Sequence, residues 1–217
     1  MIKLALTDGQ HRHTIKCQAI LFDMDGTLVD STSCVESTWR NWALRHAIDI
    51  ERLLAVAHGR QNHETIGLIA PHLNTPEEIE YLVRAEEDCQ DGIVAVPGAR
   101  DLLEVVNRDR WAVVTSAWRT LAEIRLQCAG LPLPEVLITA DEVKRSKPRP
   151  DGYLTAAARL GIQPADCLVF EDAPAGIEAG LAAGMMVVGV TTTFSREKLG
   201  CEWCIGDFRS ISVEIEE

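Results

Sequence analysis

Short, uniformly apolar runs punctuate this chain, and each ends abruptly in polar residues. They fall at 18–22, 111–114, 136–138, 167–170 and 185–190. Such runs do not alternate between a wet and a dry side, so they predict buried parallel strands. Between them, apolar residues recur at helical spacing. Ala99, Leu102, Leu103 and Val106 make one stripe; Leu121, Ile124 and Cys128 make another, with Gly130 placed to stop that helix. Helices are also predicted over 151–160 and 174–183, ended by Gly161 and Gly184. Strand and helix alternate, which predicts an α/β chain built on a doubly wound parallel sheet.

From 32 to 96 that alternation stops. Val35, Trp39, Trp42 and Ala43 fit one amphipathic helix, and Ile79, Leu82 and Val83 fit another, with no convincing strand among them. This stretch is read as a small helical cap inserted after the first strand, with 1–31 and 97–217 forming the core. Pro97-Gly98 marks the return to the core, and Trp39 and Trp42 are placed on the inner face of the cap. Caps of this sort close over active sites and exclude water. The N-terminus has a short apolar patch, Met1 to Leu6, and then a polar stretch to His13, which is not the pattern of a signal peptide.

Composition narrows the function classes. Of 217 residues, 47% are hydrophobic and 25% charged, as in ordinary globular proteins. A formal net charge of −12 argues against a nucleic acid or an anionic membrane as partner. A small anionic substrate stays compatible, because a local cluster with a metal ion can reverse the field. No apolar run approaches the roughly 20 residues that span a bilayer. Seven scattered cysteines are read as buried free thiols in a reducing cytosol, so a cytoplasmic protein is expected; a monomer is expected separately, with an oligomer left open. Cys201-Glu-Trp-Cys204 has redox or zinc spacing, but zinc would need two further ligands nearby. His11 and His13 are not expected to bind metal.

The candidate chemistry begins at Asp23-Met-Asp25-Gly-Thr27, directly after the first buried run. Two carboxylates two residues apart at a strand end are costly to hold together without a cation. Three further signals fall at the predicted carboxyl edge of the same sheet. They are Thr115-Ser116 after the second run, Lys147 in Ser146-Lys-Pro-Arg-Pro150, and Glu171-Asp172 before the helix opened by Pro174. Taken singly, each is explained by an acidic turn, a helix cap or a solvated basic loop. In order on one sheet they converge where α/β proteins bind ligands. Hard oxygen donors suit Mg²⁺.

These four motifs resemble those of the haloacid dehalogenase superfamily, over nearly the whole chain. The resemblance implies a Rossmann-like core with a helical cap. Further segments, His58-Gly59-Arg60, Ile138-Thr139-Ala140-Asp141, and Phe170 through Ile177, resemble sugar-phosphate phosphatases, including glycerol-phosphate and 2-deoxyglucose-6-phosphate phosphatases. They match β-phosphoglucomutases of the same helical-cap group less well. The family implies Asp23 as nucleophile, forming an aspartyl phosphate, and Asp25 as general acid and base. Thr115 and Lys147, with the Ser116 backbone, would hold the transferring oxygens. Mg²⁺ would be bound by Asp23, Asp172, Asp25 and Glu171, the last directly or through water. His58 and Arg60 on the cap, and Trp118 at the entrance, would meet a small phosphorylated sugar or polyol. A phosphomutase would share every core residue. A dehalogenase would need neither Asp25 nor the 171–172 pair, and a receiver domain would lack the insert.

Overall fold

The computed structural model describes residues 1–8 and 11–215. Two antiparallel strands, β1 (Ile2–Asp8) and β2 (His11–Cys17), precede the central strand β3 (Ala19–Phe22). A two-residue strand β4 (Val29–Asp30) leads into four helices, α1 (Thr32–His46), α2 (Ile50–Ala57), α3 (Asn62–Ile69) and α4 (Pro76–Asp88). The chain returns through β5 (Val94–Ala95), α5 (Ala99–Val105), β6 (Trp111–Val114), α6 (Arg119–Cys128), β7 (Val136–Ile138) and α7 (Asp151–Leu160). It finishes with β8 (Cys167–Glu171), α8 (Pro174–Ala182), β9 (Met186–Val190), α9 (Arg196–Leu199), β10 (Trp203–Ile205) and β11 (Ile211–Ile215).

Six strands form a parallel sheet in the order β10-β9-β8-β3-β6-β7. The uniform apolarity of the runs has a direct cause. Ile20 and Phe22 of β3, with Trp111, Val113, Leu168 and Phe170 beside them, enter the core on one face. Ala19 and Leu21, with Ala112, Val114, Cys167 and Val169, enter the core on the other. Both faces are covered, so every position must be apolar. The connection after β3 runs to β6 on one side and the connection after β8 runs to β9 on the other, so the topological switch point lies between the ends of β3 and β8.

The four helices after β4 pack around Trp39, Trp42, Leu53, Ile66 and Leu82. Trp39 and Trp42 meet edge to face at 5.6 Å, and Trp42 donates its indole N–H to Glu78 at 2.8 Å. Asp49 and Thr75 accept backbone N–H groups at the starts of α2 and α4, satisfying donors a helix leaves orphaned. Where the insert meets the sheet domain, β4 and β5 pair antiparallel over Val29↔Ala95 and Asp30↔Val94.

Several sequence expectations are corrected. The N-terminal stretch read as an apolar patch and a polar tail is the β1–β2 hairpin, which adds β11 to make a three-stranded antiparallel sheet. Its alternating residues Ile2, Leu4, Leu6 and Ile15 are buried against the main core. The stretch 32–96, read as free of strands, contains β5. The helix at 119–128 is rotated from its predicted face: Leu121, Ala122, Arg125 and Leu126 are buried, whereas Cys128 is exposed and Ile124 only half-buried. A stripe of three residues left the phase of that helix loosely defined. Cys34 and Cys89 are not free thiols but a disulfide, with Cα atoms 5.6 Å apart. Packing of α1 against α4, not sequence spacing, brings them together. Among the described residues no helix is long and apolar enough to cross a membrane.

Candidate active site

Strand register assembles the centre. Phe22 pairs with Phe170 and with Val113, so the next residues along each strand converge at one edge. Asp23 follows β3 and donates its N–H to the Phe170 carbonyl at 3.0 Å, which seats it beside Glu171 and Asp172. Gly26 then turns the chain at φ +80, and a Cβ there would collide with Asp172 Oδ2, so only glycine fits. Thr27 donates its hydroxyl to Asp172 Oδ1 at 3.0 Å, tying this loop to the end of β8.

Lys147 reaches the same point from the loop before α7. Its ammonium donates to Asp23 Oδ1 and, at 2.6 Å, to Glu171 Oε1. Glu171 Oε1 also accepts the Tyr153 hydroxyl at 3.1 Å, and Oε2 accepts the Ala173 N–H at 3.0 Å. Glu171 is 0% exposed and presses against α8 so closely that a Cβ on Gly176 would overlap its Oε1. The small residue in the first turn of that helix is therefore a steric requirement of the buried carboxylate.

The electrostatics are unbalanced. Asp23, Glu171 and Asp172 are buried, offer carboxylate oxygens all within 4.8 Å of one another, and share one ammonium. Burial pushes the Asp172 carboxyl up to about 7, with Glu171 adding to the rise. Burial also holds the Asp23 carboxyl well above its ordinary range, against the pull of Lys147 and with the repulsion of Glu171 and Asp172. Burial alone would lower Lys147, but the charges of Asp23 and Glu171 hold it above its usual value. A divalent cation among these oxygens would supply the missing positive charge and favour the ionised acids. The donor set is hard, anionic and nearly dry, so it fits such an ion.

Asp25 points away from this cluster into an adjoining cleft. Its Oδ1 accepts the Ser31 hydroxyl at 2.6 Å and its Oδ2 accepts Arg125 Nη1 at 2.5 Å. The cleft, with about 60 Å³ of free space, runs between the sheet edge and the four-helix insert. Asp23, Asp25, Thr115 and Ser116 line one wall, and Trp39, His58, Gly59, Arg60, Asn62 and Glu86 line the other, with Trp118 on its border.

The sequence-derived candidates therefore fall in two sets. Asp23, Glu171, Asp172 and Lys147 are in direct contact or within one small cluster, and Thr115 lies on the same cleft wall as Asp23. Thr115 Oγ1 accepts the Ala117 N–H at 3.1 Å, which fixes the turn after β6. Ser116 donates its hydroxyl to the Gly59 carbonyl at 2.9 Å, so the sheet edge touches the insert at that loop. His58 meets the Phe194 ring edge-on at 6.0 Å, and burial lowers its pKa against the pull of Glu36 and Asp25. Arg60 turns back to donate to the Val56 carbonyl at 2.9 Å. Sequence reasoning missed Tyr153, Arg125, Glu86 and Asn62. Arg125, Glu86 and Asn62 are polar types whose default reading in a helix is solvent exposure, and Tyr153 reads as core; a charged residue beside an apolar stripe was the available signal for Arg125.

A parallel sheet with buried acids at the switch point and a helical insert over them is the framework of a capped α/β hydrolase. The chain belongs to the haloacid dehalogenase-like hydrolase family, whose model matches residues 17–184. It is 44% identical over 192 residues to hexitol phosphatase A of Escherichia coli, covering 85% of this chain and 88% of that protein. It is 35% identical to glycerol-1-phosphate phosphohydrolase 2 of Saccharomyces cerevisiae, over 92% and 86% of the two chains. Among solved structures, a hydrolase from Pseudomonas syringae superposes with a TM-score of 0.80 at 26% identity, over 89% of this chain and 95% of the other.

Proposed function

We propose that this hydrolase is a Mg²⁺-dependent phosphatase of small sugar or polyol phosphates, acting through an aspartyl phosphate on Asp23. The observation that carries the reading is the buried cluster of Asp23, Glu171, Asp172 and Lys147 opening beside a cleft that the insert roofs. Relatives that are a hexitol phosphatase and a glycerol-1-phosphate phosphohydrolase support a polyhydroxylated leaving group.

Asp23 and Asp172, with the backbone carbonyl of Asp25, would hold Mg²⁺, and Glu171 would act through a water, since both its oxygens already accept hydrogen bonds. When bound, the ion supplies charge neutralisation between the anionic nucleophile and the anionic phosphate. Asp23 attacks phosphorus in line, splitting one hard hydrolysis into two easier steps. Lys147, the Thr115 hydroxyl and the Ser116 backbone N–H stabilise the transferring oxygens, because phosphoryl transfer asks mainly for positioning and charge. Asp25, facing the cleft, protonates the leaving oxygen and then takes a proton from the water that frees Asp23. Residues 32–96 act as a cap, where His58 and Arg60 meet the hydroxyls of the substrate.

The test is a panel of phosphorylated hexoses, pentoses, hexitols and glycerol with Mg²⁺, following free phosphate. Phosphate release that stops on chelation and returns with Mg²⁺ is the expected result. An isomerised sugar phosphate without release would make the enzyme a mutase, and release indifferent to chelation would remove the metal from the reading.

A further inference from the structure

Resting on that reading of Asp25, we infer that Arg125 is a positioning residue that holds the acid in line with the leaving oxygen and ties its placement to the insert. Arg125 sits on α6 among Leu121, Ala122 and Leu126, at a place where the helix otherwise buries apolar side chains, and it is 2% exposed. Its guanidinium donates once, from Nη1 to Asp25 Oδ2 at 2.5 Å. Nε and Nη2 are buried with no hydrogen-bond partner. Nη2 instead faces Glu86 Oε1 of α4, at 3.7 Å. Glu86 is itself buried, and its Oε2 accepts the side-chain N–H of Asn62 from α3 at 2.8 Å.

A buried guanidinium with two nitrogens that make no hydrogen bond is poor engineering for stability. An apolar residue of similar volume would pack there without desolvating a charge. What the arginine supplies is a second anchor for Asp25, whose other oxygen is already fixed by Ser31. Held at both oxygens, the carboxyl has one orientation toward the cleft. Glu86 and Asn62 belong to the insert, so the edge of the guanidinium that Asp25 leaves free is faced by the roof. When the roof sits down, Arg125 is braced from both sides, and so is the acid.

The step at stake is proton delivery. As the bond from Asp23 Oδ to phosphorus forms, the P–O bond to the substrate breaks, its electron pair stays on the leaving oxygen, and the proton that Asp25 carries on Oδ1, the oxygen not paired with Arg125, moves there. An alkoxide leaves poorly without that proton, whereas p-nitrophenolate leaves well without it. Single-turnover release is therefore compared for an alkyl phosphate that the wild type hydrolyses and for p-nitrophenyl phosphate. Arg125→Met is expected to slow the alkyl ester about 100-fold and the aryl ester less than about fivefold. Arg125→Lys, which can still reach one carboxylate, should give the same selective pattern at about 10-fold. If Arg125→Met does not fold, the Lys variant is read by the same ratio. Equal loss on both esters, or no loss on either, overturns the positioning role. Asp25→Asn serves as the reference. If it slows the alkyl ester selectively while the Arg125 variants do not, only this inference fails. If it treats both esters alike, the acid assignment itself is wrong and the inference falls with it.

Discussion

At the carboxyl edge of the sheet, Asp23, Lys147, Glu171 and Asp172 are at most 5% exposed, and each is held by strand register or by bonds to the others. Across the cleft, His58, Gly59 and Arg60 sit on the loop between α2 and α3. They touch the sheet domain through a ring edge, one carbonyl and a close glycine. The floor sets three buried acids against one ammonium, a charge excess that a cation or a proton relieves. On the proposed function, chemistry that requires charge at fixed points falls to the strand ends, and recognition of the substrate falls to the loop.

The sharpest way to break this contrast is at the floor. Asp23→Asn is expected to lower turnover by about 10⁴-fold or more, because the proposed mechanism gives the attack on phosphorus to Asp23 alone. Folding should survive. Removing one partner of a buried ion pair ordinarily destabilises by about 3–5 kcal/mol, but here three acids share one ammonium and Lys147 keeps Glu171 at 2.6 Å. The Asp23 carboxyl is held above its ordinary range by burial, so its charge is a burden in the metal-free fold. An unfolding midpoint at or above that of the wild type, measured without metal, is the predicted result. A large drop would mean that the attraction of Asp23 to Lys147 outweighs its repulsion by the neighbouring acids.

The sheet and its acids were legible from the chain because both obey local rules. A strand buried on both faces must be uniformly apolar, and polar residues follow where it ends, so Asp23, Thr115 and Asp172 needed no tertiary information, whereas Lys147, in the loop before α7, stood out only in order with the other three motifs. The β1–β2 hairpin was not legible, because Lys3, Thr7, His11 and His13 interrupt its apolar residues and its third strand comes from 211–215. The disulfide joins residues whose sequence separation is 55, which no spacing rule addresses. Arg125 escaped for a subtler reason. Its role comes from the phase of α6, and a rotation of that helix by one residue decides whether it faces solvent or Asp25.

A second test separates the stability of the roof from the chemistry of the floor. Cys34 lies in the first turn of α1 and Cys89 directly after α4, so their bond fastens the insert near both of its ends. Closing a loop of that length removes unfolded-state entropy worth up to about 4 kcal/mol. Cys34→Ser should lower the thermal midpoint by about 5–15 °C under oxidising conditions, and reductant should bring the wild type down to the same value. Turnover below the transition should change less than about threefold, since neither cysteine lines the cleft. A midpoint indifferent to reductant would show that α1 and α4 are held by packing alone.

The smallest predicted effect is the one that most directly tests what the loop is for. Arg60 lines the cleft, but its guanidinium spends one donor on the Val56 carbonyl of the preceding helix α2, leaving the others for a ligand. A guanidinium suits hydroxyl and phosphate oxygens alike, and the two uses predict different losses. If Arg60 meets the sugar or polyol, Arg60→Ala should reduce kcat/KM about 10-fold on that substrate and leave p-nitrophenyl phosphate nearly unchanged, since about 1.4 kcal/mol is a reasonable share for one such contact. If it meets the phosphate, both substrates should lose equally, and the division between a floor that reacts and a roof that selects would no longer hold at this residue. Asp23 and Lys147 already crowd the phosphate end with charge, and Arg60 enters from the opposite wall, so the unequal loss is the expected one.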